Sequence, residues 1–144
     1  MYDYTFFHGS ALVRLIRDRR THSIQLYKGN HCYLVNSKSC IYLKHSTKRL
    51  SPWQFTFLPQ HLIEIEHIHT TTKSLFALLI CNDDGICCLD YKEVSQLVMV
   101  GNMDQAKSIA VSRSTRQKYS VSGTDGKLIY KIGNSDFPQK VFTV

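Results

Sequence analysis

Between Cys40 and Phe57 the chain reads CIYLKHSTKRLSPWQFTF. An apolar, strand-like run ends in Lys44, His45, Lys48 and Arg49, then resumes after a proline as alternating aromatic and polar residues. Lysine offers phosphate oxygens a point charge and arginine a flat fork of donors, so this cluster has the chemistry of phosphate capture. Ser46 and Thr47 add neutral donors, and Trp53 brings a ring on which an unpaired base can stack. A second basic group, Arg113, Arg116 and Lys118, sits in SRSTRQK. The competing reading of both groups is a pair of solvated turns.

Other chemistries fit the residues less well. His45 and Ser46 adjoin, but no G-x-S-x-G elbow accompanies them. Gly123-Thr124-Asp125-Gly126-Lys127 lacks the spacing of a phosphate loop and reads as a turn between strands. His67 and His69, two apart on a predicted helix, face different sides. The five cysteines, Cys32, Cys40, Cys81, Cys87 and Cys88, form no C-x-x-C pair. Cys32 and Cys40 with His31 or His45 could compose a zinc site, yet their spacing matches no standard zinc module. Buried reduced thiols and no metal are the expectation.

Charge follows an uneven pattern. The formal net charge is +7, and no Asp or Glu occurs from Arg19 to Ile63. That window holds Arg19, Arg20, Lys28, Lys38, Lys44, Lys48 and Arg49. A long acid-free stretch creates a positive face that favours polyanions, DNA or RNA among them. No apolar run approaches the roughly 18 residues of a membrane span, so no membrane partner is expected. MYDYTFFHGS has no basic region followed by an apolar stretch, so no signal peptide is read and a cytoplasmic protein is expected.

Positioning these side chains requires a folded frame, and 144 residues suit one domain, with a core at about 5–98 and a strand-rich extension at about 107–144. Leu12, Val13, Leu15 and Ile16 put an apolar stripe on a helix over 5–18. HSIQLY, HCYLVN and CIYLKH read as strands separated by turns at 28–30 and 36–39, and WQFTF as a half-buried strand. A helix follows over 58–69, with Pro59 in its first turn and 69–73 as a polar loop. SLFALLIC is a continuous apolar run, expected as a central strand covered on both faces. ICCLDY makes a hairpin with it, 91–100 is a short helix, and KSIAVS, QKYSVSG and KLIYKIG end the chain in strands, the last two as a hairpin. The expected class is α+β, a mixed central sheet flanked by helices.

A helix, a three-stranded meander, a helix and a further strand (α-β-β-β-α-β) resemble the core of the PD-(D/E)xK, or restriction-endonuclease-like, nucleases. The chain also resembles small bacterial proteins with a KxSxKRxSPWxFTF core. In the nuclease family two acids hold divalent metal beside the scissile phosphate and a lysine stabilises charge. The resemblance sets the E-x-K triplet on Tyr42-Leu43-Lys44 and the upstream acid near Asn36, so Lys44 alone matches. Together with the basic groups, it leads to the expectation of a degenerate, non-catalytic core that binds nucleic acid through Lys44, His45, Lys48, Arg49, Trp53, Arg113 and Arg116. One alternative is an active nuclease using Mg²⁺, Lys44 and an acid relocated to the following helix, Glu64 before Glu66, with Asp83 and Asp84 in a turn beyond. Another is a protein-interaction module or homo-oligomer whose charge only solvates it.

Overall fold

A computed structural model describes residues 4–29 and 31–143. The elements run α1 (Tyr4–Ile16), β1 (Ile24–Lys28), β2 (Cys32–Val35), β3 (Ser39–Ser46), β4 (Trp53–Phe57), α2 (Pro59–Thr71), β5 (Ser74–Cys81), β6 (Ile86–Asp90), α3 (Tyr91–Val98), β7 (Lys107–Ser112), β8 (Ser120–Gly123) and α4 (Asp136–Gln139), with a closing 3-10 turn, Lys140–Phe142. The class is α+β.

Five strands form a mixed sheet in the order β1-β2-β3-β5-β6. β1, β2 and β3 are an antiparallel meander, β5 runs parallel to β3, and β6 folds back antiparallel on β5. A parallel neighbour needs a long crossover, which β4 and α2 supply. Alternation divides the strands between two cores. Cys40 and Tyr42 of β3 and Leu75, Ala77 and Leu79 of β5 face α2 and α3. Ile41, Leu43, Phe76, Leu78 and Ile80 face α1 and the C-terminal turn. Burial on both sides is why SLFALLIC is apolar throughout.

WQFTF is a strand, but it belongs to a second, antiparallel sheet in the order β4-β7-β8. Its Trp53, Phe55 and Phe57 point into the core and Gln54 and Thr56 outward. KLIYKIG forms no strand, in contrast to the expected C-terminal hairpin. It touches the sheet through two isolated bridges, Tyr119–Ile132 and Ser122–Lys127. Leu128 and Ile132 are buried while Ile129 is 99% exposed, so the apolar letters do not share one face. α2 also continues through Thr71, because the threonine hydroxyls at 70 and 71 bond back to the His67 and Ile68 carbonyls instead of opening a loop.

Candidate functional site

The site arises where β3 outruns its neighbour. Among the described residues, β2 pairs with β3 from Val35–Ser39 to Cys32–Tyr42, and the last bond on that side is Leu43 N–H donating to the His31 carbonyl at 2.9 Å. Beyond it, Lys44, His45 and Ser46 keep β5 on one side. The other side opens into a cleft of about 480 Å³ lined by Tyr42, Lys44, His45, His31, His61 and His8, with Gln54 and Thr56 of β4 across it.

Lys44 is the centre of this cleft. Its Nζ lies 3.3 Å from His61 Nδ1 and 4.8 Å from the centroid of the Phe57 ring. Burial lowers its pKa to about 8, although Glu64 pulls in the opposite direction. His61 Nδ1 also accepts the backbone N–H of Leu58, which precedes the helix, at 3.1 Å. Two donors on one ring nitrogen place the imidazole proton on Nε2 and make His61 a neutral acceptor. Lys44 therefore rests against a neutral imidazole and a ring face. Among the described residues it has no ion pair.

Three of the surrounding imidazoles, His8, His45 and His61, are held towards their neutral forms. Burial, then His45 and His31, lowers His8 to about 4; its Nδ1 lies 2.9 Å from the Tyr33 hydroxyl. His45, stacked on Phe7 at 4.3 Å, is lowered by burial and by Lys44. Burial and Lys44 also lower His61. Lys44, with its pKa at about 8, is held mainly as the ammonium at neutral pH beside these three rings.

Glu64 stands one helical turn after His61, on the same face of α2. Its Oε1 is 2.9 Å from His31 Nε2. Burial would raise the carboxyl pKa, but hydrogen bonds from His31 and Tyr42 outweigh it and hold the group below its usual value. The Cys32 thiol belongs to the same knot: ligand atoms of His31, Cys32 and Glu64 all lie within 4.8 Å of one another. Among the described residues no second carboxylate joins them. Mg²⁺ demands hard oxygen donors in octahedral array. One carboxylate with an imidazole and a thiol does not fit it.

The remaining predicted residues separate into a rim and a core. Lys48 and Arg49 are exposed in the loop after β3. Trp53 is 2% exposed and donates its indole N–H to the Lys48 carbonyl at 2.8 Å; it braces the loop from inside and offers no face to a base. Arg113 is bound to Asp84 at 2.9 Å and lies 5.2 Å from the Tyr119 ring, whereas Arg116 is exposed. Arg113 N–H donates to Ser51 Oγ at 2.9 Å, which sets the two basic turns side by side.

Asn36 lies at the far end of β2 and binds the backbone of His22, Ser23 and Arg20. The residue opposite Tyr42 is Cys32, so the position assigned to Asn36 by resemblance falls at the wrong end of the strand. Glu66 and Asp83 are exposed away from the cleft, and Asp125 of the glycine-rich turn accepts from Lys107 and from the amides of Val100 and Gly101. All five cysteines are buried, and none is in a disulfide. His61 and His8 are site residues that sequence patterns did not select, whereas His31, weighed there with Cys32 as a zinc ligand, is found beside Cys32 and Glu64. The available signal for His61 was its place three residues before Glu64 on one helix face.

No protein-family model matches the chain, and no curated protein or solved structure matches it.

Proposed function

We propose that the protein binds nucleic acid and seats a backbone phosphate on Lys44, in a nuclease-like core that does not cut with Mg²⁺. The observation that carries this reading is the half-buried Lys44 ammonium, which faces a neutral imidazole and an aromatic ring where a carboxylate would ordinarily neutralise it. Taking such a charge out of water is costly unless it is paired, and a phosphate oxygen entering the cleft is a fitting partner. Support for the nuclease-like frame comes from the element order: a helix, an antiparallel meander, a crossover made of β4 and α2, and a parallel strand, with Lys44 at the open end of the meander. Lys48, Arg49 and Arg116 are exposed, and such charges suit backbone contacts that position a strand without reading its sequence. The single carboxylate speaks against Mg²⁺-dependent cleavage.

Fluorescence anisotropy with labelled single- and double-stranded DNA and RNA at low salt tests this. The wild type is expected to bind at least one of these, and Lys44→Met to weaken it by roughly tenfold or more, the worth of a charged hydrogen bond. Absence of binding to all four probes, or equal affinity for the variant, contradicts the proposal.

A further inference from the structure

We infer that His31, Cys32 and Glu64 form a binding site for a divalent ion of the zinc class, at the wall of the Lys44 cleft. Imidazole, thiolate and carboxylate are the donor set such ions prefer, and three protein ligands leave a fourth position for water or another oxygen. The three residues come from two rigid elements. His31 sits in the turn just before β2, outside the strand's alternation, so it and its neighbour Cys32 can reach the same point. Their backbone is pinned to β3 by the Cys32–Tyr42 pairing and the His31–Leu43 bond. Glu64 is carried by α2, which is anchored through buried Leu62, Ile65 and Ile68.

Distances suit a small closure. Zinc bonds of about 2.0–2.3 Å set tetrahedral ligand atoms roughly 3.3–3.8 Å apart. The ligand atoms here lie within 4.8 Å of one another, and His31 Nε2 and Glu64 Oε1, at 2.9 Å, already share a proton that an ion would replace. Tyr42 hydrogen-bonds Glu64 from outside the ligand set and packs edge-on to His31 at 4.8 Å between ring centroids. Such outer contacts fix ligand orientation. His31 lines the cleft and Cys32 is fully buried, so the ion would sit between solvent and core. This inference stands independently of nucleic-acid binding.

Cobalt titration of the reduced, full-length protein is the test, because Co²⁺ reports thiolate ligation and tetrahedral geometry by absorption. One equivalent is expected to produce a thiolate charge-transfer band and intense visible bands, both displaced by Zn²⁺. Cys32→Ser is expected to abolish the charge-transfer band. His31→Gln and Glu64→Gln, which leave the apolar core intact, are expected to weaken Co²⁺ binding by at least about tenfold. Absence of these bands in the wild type overturns the inference. So does a charge-transfer band that survives in Cys32→Ser, or unchanged affinity in both part-exposed variants.

Discussion

Lys44 owes its character to the places its neighbours occupy. Burial brings its pKa down to about 8, while an ordinary lysine titrates near 10.4. The ammonium is the form that holds an anion, so the sign is fixed: affinity for nucleic acid is highest below pH 8 and falls as pH rises through and beyond it. Binding measured from pH 7 to 10 is expected to begin its decline near 8 in the wild type and to stay flat over pH 7 to 9 in Lys44→Met. A wild-type profile that is level until pH 10 would show that Lys44 is not the titrating contact. Lys44 was legible in the sequence because it ends an apolar strand in a run of charge. Trp53, offered as a stacking face for a base, instead follows the alternation of WQFTF into the core with Phe55 and Phe57, and its indole is needed to satisfy the Lys48 carbonyl. Glu64 was selected from the sequence, but its partners His31 and Tyr42 lie on other elements, and no local spacing connects them.

Elements were easier to recognise where burial is two-sided or strictly alternating. SLFALLIC, WQFTF and KSIAVS match β5, β4 and β7 end to end, since their patterns admit one arrangement each. Sheet membership was not legible: β4 follows β3 in sequence but pairs with β7, a choice made by contacts more than fifty residues away. The C-terminal segment failed for a related reason, its apolar residues being divided between core anchors and an exposed Ile129. β8 instead ends tightly against α3. A Cβ on Gly123 would lie 2.4 Å from the Leu97 carbonyl oxygen and 2.8 Å from Leu97 Cβ. Gly123→Ala is therefore expected to lower stability by about 1–3 kcal/mol through overpacking, read as an earlier urea midpoint. An unchanged midpoint would mean that β8 and α3 separate at no cost.

At the scale of the molecule, the acid-free stretch from Arg19 to Ile63 contributes β1 to β4 and the start of α2; its basic residues are divided, with Lys44, Lys48 and Arg49 at and after the open end of β3 and Arg20 and Lys38 by the β2–β3 turn at the other end of the meander. Arg113 adds a tether between the two basic turns more than a free charge, because Asp84 holds it. What the fold brings to one opening is the half-buried Lys44 ammonium and the outward-facing Gln54 and Thr56 of β4. The salt dependence of binding tests this most directly. Each phosphate neutralised contributes about 0.9 to the slope of log affinity against log salt for duplex DNA, and about 0.7 for single strands. The wild type is expected to give a steep linear fall, and Lys44→Met a slope shallower by about one such contact. Identical slopes for the two proteins would contradict a phosphate on Lys44.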